Sequence, residues 1–82
     1  MQTIKGNDKV EYEALIFNSR NTAALIKLGA IKVWVARERA RNLAEKAGAS
    51  KYIVQCQIDN WFEEYENTQK GFYNWDKVSW SA

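Results

Sequence analysis

The chain has 82 residues, 46% of them hydrophobic and 13% aromatic, which is enough for one domain with one core and argues against disorder. It contains no histidine and a single cysteine, Cys56, so an internal disulfide is excluded, as are zinc sites built from several such ligands and catalysis by a histidine base. The net charge of +2 does not by itself indicate a nucleic-acid partner, and no apolar run is long enough to cross a membrane.

The charges are unevenly distributed along the chain. Residues 20–58 contain eight Lys or Arg residues and two Glu residues, a net charge of +6. Residues 59–66 contain four acids and no base, a net charge of −4. We therefore expect one electrically polar domain over residues 1–82, with residues 1–8 loosely ordered. The lone cysteine and the lack of a signal-like segment predict a cytoplasmic location.

Three strands are predicted in the first half of the chain. Residues 9–18 alternate with a period of two, which is typical of a strand with one buried face. That face comprises Val10, Tyr12, Ala14 and Ile16. The Asn and Ser residues at 18–21 predict a turn. The apolar runs 22–28 and 31–36 predict two further strands, and the short link Gly29-Ala30 between them indicates a hairpin.

A helix is predicted next, because the apolar spacing changes from two residues to three or four. The apolar positions are Ala36, Ala40, Leu43, Ala44 and Ala47. Gly48 follows where a helix commonly ends. Residues 51–58 alternate again and predict a fourth strand, with Cys56 on its inward face as a buried, unreactive thiol.

A second, acidic helix is predicted to begin at Asp59 or Asn60, since Asn60 and Glu63 have the spacing of a capping box. Its buried stripe would comprise Trp61, Phe62 and Tyr65. The segment 70–72 predicts a stop at which Phe72 folds back, and the aromatic tail 73–82 is expected to pack. The predicted fold is therefore α+β, a small antiparallel sheet or partly open barrel in the order β-β-β-α-β-α, packed against one or two short helices.

Two tryptophan motifs lie in residues 22–41 and 57–72. The positions concerned are Ala24, Ile26, Gly29, Val33, Trp34, Val35, Ile58, Trp61, Phe62, Glu63, Gly71 and Phe72. They resemble short phage and prophage proteins of undetermined function, in which strands A-x-L-x-x-x-G and V-W-V-P-x-S precede a helix I-P-x-W-L/F-A-E-x-x-G-L. Ala36, Glu38 and Asp59 depart from that pattern at a proline, a serine and a second proline. The resemblance implies a phage or mobile-element origin and carries over no functional site.

The chain is predicted to act by binding and not as an enzyme. Its four glycines are isolated, so it has no phosphate-binding loop, and it shows no cofactor motif, metal-ligand set or Cys–His pair. Glu11 and Glu13 fall on one strand face, and we interpret them as a solvated surface and not as a catalytic pair.

Two surfaces are candidates for binding, and for each of them an ordinary solvated face with packed rings is the alternative. An acidic, aromatic surface favours a host or phage protein as partner, since acids can mimic phosphates and aromatic rings are enriched at interfaces. Its residues are Glu63, Glu64, Tyr65, Glu66, Tyr73, Trp75 and Trp80. A basic surface favours nucleic acid. Its residues are Trp34, Arg37, Arg39, Arg41, Lys46 and Lys51.

The favoured hypothesis is a non-enzymatic protein-binding module, encoded by a phage or mobile element, that inhibits a host protein such as a defence component. A nucleic-acid-binding domain is the first alternative, and an accessory structural homo-oligomer, such as a homodimer, is the second. No cofactor, metal or membrane partner is expected.

Overall fold

A computed structural model describes residues 9–18, 22–68 and 72–81, which form a five-stranded antiparallel sheet and one α-helix. The elements are β1 (Val10–Phe17), β2 (Ala23–Ile31), α1 (Val33–Lys46), β3 (Lys51–Gln55), β4 (Phe62–Asn67) and β5 (Trp75–Trp80), with a short 3₁₀ turn at Ile58–Asn60. The strand order is β2-β1-β3-β4-β5, and the sheet does not close. The predicted α+β class is therefore confirmed, and the order of elements is roughly as predicted.

Helix α1 is the crossover between two strands that flank β1. Both β2 and β3 pair antiparallel with β1, so they run parallel to each other and cannot be joined by a hairpin. Helix α1 makes this connection over one face of the sheet and packs mainly on β1, β2 and β3. The remaining strands, β4 and β5, follow as consecutive antiparallel neighbours.

Three alanines four residues apart bring α1 close to the sheet. Ala36, Ala40 and Ala44 are each 0% exposed, and their methyl groups lie in one core cluster with Tyr12 and Val54. The predicted helix end is confirmed, because Gly48 adopts a φ of +66° that favours glycine. The N–H groups of Gly48 and of residue 49 donate to the carbonyls of residues 45 and 44, which is a Schellman motif.

The predicted hairpin at Gly29-Ala30 is wrong. Strand β2 continues through Gly29, whose φ of +93° accompanies a bulge at Leu28, and it pairs with β1 as far as Ile31. Strand β1 begins at Val10, which pairs with Ile31. Beyond Ile31, β1 therefore has no further residue with which β2 could pair. The N–H of Ala36 donates to the carbonyl of Lys32 at 3.0 Å, and residues 33–36 of the segment predicted as a third strand form the first turn of α1.

The predicted acidic second helix is also wrong. After a 3₁₀ turn that includes Asn60 at a φ of +53°, a conformation that asparagine tolerates, residues 62–67 form β4. Trp61, Glu63 and Tyr65 alternate towards the helix side of the sheet. A carboxylate in the middle of this inward row made the alternation hard to recognise as a strand.

The predictions for the two ends of the chain and for its turns can be compared with the structure only where residues are described. Residues 1–8, 19–21 and 69–71 lie outside the described residues, so the predicted loose N-terminus and parts of two predicted turns stay predictions. Residues 75–80 of the aromatic tail form β5, in which Trp75 packs against the core as predicted, whereas Val78 and Trp80 are exposed. Phe72 is exposed and does not fold back onto a helix. Within the described ranges, no helix has the length and hydropathy that spanning a bilayer requires.

Replacing Ala40 by leucine should lower the free energy of unfolding by about 1 to 3 kcal/mol, because the larger side chain must push α1 away from the sheet. Asn42→Leu adds the same side chain at an exposed position of α1 and should change stability by less than about 0.5 kcal/mol. Denaturant unfolding measures both. Equal stability of the two variants would contradict the close helix–sheet contact.

Candidate functional site

Glu63 is a buried carboxylate at the junction of α1 and β4. Its side chain is 6% exposed, and among the described charged residues it is the one that is buried. Arg37 of α1 binds it through two hydrogen bonds, Nε to Oε1 at 2.8 Å and Nη2 to Oε2 at 2.7 Å. The Tyr65 hydroxyl donates to Oε1 at 2.7 Å, and Lys77 Nζ lies 3.7 Å from Oε2. The carboxylate is thus surrounded by donors from α1, β4 and β5.

These contacts fix the protonation of the network near neutral pH. Burial by itself raises the pKa of Glu63, but the hydrogen bonds from Arg37 and Tyr65, together with the charges of Arg37 and Lys77, outweigh burial and leave the pKa below its ordinary value. The hydrogen bond to Glu63 is also the main reason that the pKa of Arg37 is raised. Burial, followed by the carboxylate, raises the pKa of Tyr65. The network therefore consists of an anion, a cation and a neutral phenol.

A cleft of about 390 Å³ lies beside this network, between α1 and the β3–β5 part of the sheet. It is lined by Trp34, Arg37, Glu38, Arg41, Tyr52, Tyr65 and Trp75, and we refer to it as the cleft. Its origin is geometric. Five strands spaced about 4.8 Å apart span about 19 Å, and one helix about 10 Å wide cannot cover them all. Because α1 packs on β1, β2 and β3, an open corner remains over β4 and β5.

The floor of the cleft is a series of touching rings. Tyr65 stacks on Tyr52 with centroids 4.9 Å apart, Trp75 meets Tyr52 edge-on at 4.8 Å, and Tyr73 stacks on Trp75 at 5.4 Å. Glu45 of α1 holds the far end, since its carboxylate accepts from Trp75 Nε1 at 2.9 Å and its carbonyl accepts from the Tyr73 hydroxyl at 3.0 Å. Burial raises the pKa of Tyr52 to about 12, so this phenol is neutral. The rings are held rigidly.

The walls of the cleft are more exposed than its floor. Trp34, in the first turn of α1, is 58% exposed. The side chains of Arg37 and Arg41 are 43% and 47% exposed. Each arginine has an acid beside it, because Glu63 binds Arg37 and Glu38 lies 3.7 Å from Arg41. The cleft is therefore aromatic, with cations that are partly neutralised.

The structure separates the predicted acidic surface into two sides of β4. Glu63 and Tyr65 face α1, as do Trp75 and the exposed Trp80, whereas Glu64 and Glu66 lie on the opposite face of the sheet. The expectation that Glu63 presents its charge on a helix exterior is wrong, because the residue lies on a strand and its carboxylate is enclosed by Arg37. Of this set, Tyr65 and Trp75 line the cleft.

The predicted basic surface is divided into three places. Trp34, Arg37 and Arg41 line the cleft. Arg39 and Lys46 lie on the other flank of α1, over β2, where Arg39 Nη1 donates to the carbonyl of Leu28 at 3.1 Å. Lys51 lies on the far face of the sheet. Its Nζ lies 3.6 Å from Glu64 Oε2 and 4.5 Å from the centroid of the Phe17 ring.

Three members of the site and its network were not predicted from the sequence. Tyr52 lies within the strand predicted over residues 51–58 and is not among the candidate site residues, and Glu38 and Lys77 carry no signal of their own. The signal that could have found Tyr52 is the pairing of β3 with β4, which sets it opposite Tyr65. That register depends on recognising β4 as a strand.

Other features of the described residues offer no second chemical centre. Cys56 is buried as predicted, with Sγ 3.9 Å from the carbonyl of Ile58. Within residues 9–18, 22–68 and 72–81, no group of three His, Cys, Asp or Glu side chains is placed to hold a metal ion. Glu13 lies on the solvent side of β1 and accepts a hydrogen bond from Gln55 at 3.3 Å.

Comparison of the chain with protein-family models, with curated proteins and with solved structures finds no match. The resemblance to phage proteins therefore stays a prediction. Function has to be inferred from the geometry of the chain itself.

Glu63→Gln should lower the free energy of unfolding at pH 7 by about 1 to 3 kcal/mol, because a charged acceptor is lost from a buried site. The folded pKa of Glu63 lies below the unfolded value of about 4.3, so its contribution is complete above that pH and is lost as the pH falls through the folded pKa. The variant should therefore lose less stability on acidification than the parent chain.

Glu38→Gln is the matched control for this experiment, since Glu38 is an exposed acid beside the same cleft. It should retain the acid dependence of the parent chain. Denaturant unfolding between pH 7 and pH 3 measures both variants. An identical pH profile for Glu63→Gln and the parent chain would contradict the role assigned to this carboxylate.

Proposed function

We propose that the chain is a non-enzymatic protein-binding module whose partner docks in the cleft. The observation that carries this proposal is the combination of Trp34, Arg37, Arg41, Tyr65 and Trp75 in one concave, solvent-open surface. Trp, Tyr and Arg are the residue types most enriched among the few contacts that dominate protein–protein affinity. Trp34 leaves more than half of its indole area in water, and a partner side chain could cover it.

The side chains of the cleft are already held in place, which favours tight binding. Tyr65 donates to Glu63 and Trp75 donates to Glu45, so neither ring has to be ordered when a partner arrives. Arg37 is fixed by two hydrogen bonds to Glu63, which leaves further N–H donors of its guanidinium for a partner. Binding therefore costs little side-chain entropy.

The charges of the cleft favour a protein over nucleic acid as its occupant. A site for phosphate needs cations that are free to pair, whereas Arg37 binds Glu63 and Arg41 has Glu38 nearby. The cleft instead suits an apolar or aromatic side chain flanked by neutral hydrogen-bond acceptors. We propose no catalytic step, and the network of Glu63, Arg37 and Tyr65 is assigned to holding the surface in shape.

The biological setting that we propose is a phage or mobile element, with the module acting in the host cytoplasm on a host or phage protein such as a defence component. The support for this setting is the resemblance of residues 22–41 and 57–72 to short phage proteins, together with a composition that lacks disulfides.

Trp34→Ala should weaken binding of the natural partner by about 30-fold or more, which corresponds to the loss of about 2 kcal/mol typical of a central tryptophan. The substitution should leave the fold intact, because the indole is largely exposed. The partner would be retrieved from the host lysate with the tagged chain, purified, and titrated by calorimetry. Phe72→Ala, an exposed aromatic residue outside the cleft, is the control. Equal affinity of both variants and the parent chain would contradict docking in the cleft.

Nucleic-acid binding is the second candidate, and a groove between α1 and β2 supports it. This groove of about 390 Å³ is lined by Arg39 and Lys46 of α1 and by residues 26–28 of β2, together with Asn42 and Leu43, and it has no acid in its lining. If the chain binds nucleic acid there, Arg39→Ala together with Lys46→Ala should abolish retention of DNA or RNA in a mobility-shift assay at low salt. The absence of any shift by the parent chain at low salt would remove this candidate.

A further inference from the structure

The face of the sheet opposite α1 is a second surface with a regular arrangement, and we refer to it as the open face. Strand register places its side chains in rows across the strands. The central row consists of Leu25, Leu15, Ile53, Glu64 and Ser79. The next row consists of Ala23, Phe17, Lys51, Glu66 and Asp76.

The centre of the open face is apolar. Leu25, Leu15 and Ile53 are consecutive cross-strand neighbours, and Phe17 lies beside them in the adjacent row. Leu25 is 54% exposed, and the other three are partly exposed. Within the described residues the helix lies on the opposite side, so no second layer covers this row. Antiparallel sheets with one solvated face commonly present polar side chains on that face. An exposed apolar row on such a face therefore indicates an interaction surface.

The margin of the open face is acidic although the whole chain is basic. The face carries Glu11, Glu13, Glu64, Glu66 and Asp76 against two lysines, Lys27 and Lys51, which gives a net charge of −3 where the chain has +2. Both lysines already have an acidic neighbour, because Lys51 Nζ lies 3.6 Å from Glu64 Oε2 and Lys27 lies opposite Glu13. Lys51 is also the cross-strand neighbour of Glu66, so it lies between two acids, and Glu11, Asp76 and one of these two acids remain as the excess negative charge.

Glu66 and Asp76 are direct cross-strand partners, and both are exposed. Like charges placed opposite each other in a sheet destabilise it. A neutral or basic residue at either position would have been better for the isolated sheet. Retaining two acids there is therefore a cost to folding that a cationic partner would reverse.

We propose that the open face docks a cationic protein surface, one that presents Lys or Arg side chains around an apolar ridge. The ridge would cover Leu25, Leu15 and Ile53, and the cations would pair with Glu66 and Asp76. Charge complementarity selects this occupant. Nucleic acid would be repelled by the acids, and two copies of the chain set open face to open face would bring their acids together.

The open face and the cleft lie on opposite sides of the sheet, so both can be occupied at once. The chain would then bridge two different proteins. One would bind the open face through a cationic surface, and the other would insert an apolar or aromatic side chain into the cleft. The open-face proposal rests on strand register and charge and does not depend on the function proposed for the cleft.

The proposal can be tested with a designed probe. A helical peptide of about 18 residues, with leucines along one face and lysines elsewhere, has the required chemistry, and the same peptide with glutamates in place of lysines is its control. Titrated into the ¹⁵N-labelled full chain, the lysine peptide should shift the amide signals of β1, β3 and β4 and bind more weakly as salt rises. The glutamate peptide should cause no shift.

Three variants make the result specific. The first variant is Leu25→Asn, and the second combines Glu66→Gln with Asp76→Asn. Each should lower the affinity for the lysine peptide by about tenfold. The second variant should also leave the chain as stable as the parent or more stable, which a merely structural role for the acids would not allow. Glu38→Gln removes an exposed acid from α1 and should leave peptide affinity unchanged.

Several outcomes would overturn the proposal. These are no binding of the lysine peptide, equal binding of the glutamate peptide, signal shifts confined to α1, or a dimer that light scattering detects without any peptide and that Leu25→Asn dissociates. Trp34→Ala separates the two proposals, because it should weaken docking in the cleft while the affinity of the open face for the lysine peptide is retained.

Discussion

The ionic contact between Arg37 and Glu63 is the interaction on which the cleft depends. Helix α1 packs through apolar contacts on β1, β2 and β3, whereas it reaches β4 and β5 through polar side chains, Arg37 to Glu63 and Glu45 to Trp75. A charge buried without a partner is strongly unfavourable, so Glu63 requires the guanidinium at this position. The pair thereby joins α1 to β4 beside the cleft, which Arg37 lines.

The cleft is a consequence of covering five strands with one helix. Over the part of the sheet that α1 does not cover, the described residues form a series of aromatic rings and no second helix. The rings contact one another, and Trp75 donates a hydrogen bond to Glu45 of α1. The combination of aromatic area and arginine is the one enriched at protein interfaces, and it is the reason that we propose a binding role for the cleft. The groups of the Glu63 network are also held in protonation states that do not change near neutral pH, as their pKa directions indicate.

The uneven charge of the chain becomes a difference between two sides of the molecule. Helix α1 carries four Arg or Lys residues and two Glu residues, whereas the open face has an excess of acids. The sheet separates the two layers, so a partner meets one sign of charge or the other depending on the side it approaches. In general, such separation of charge influences the rate and orientation of association more than the affinity.

The sequence by itself determined the α+β class, the inward faces of β1 and β3, the helix over residues 36–46 and its end at Gly48, because each rests on spacing or capping within one segment. It also placed Trp34, Arg37, Tyr65 and Trp75 among the candidate site residues, but on two separate surfaces. Only the tertiary structure decided that β2 runs on to Ile31 and that residues 62–67 form a strand. An acid in a buried strand position is stable only when a guanidinium 26 residues away in sequence reaches it. No local pattern contains that pairing, which exists only once α1 has crossed the sheet.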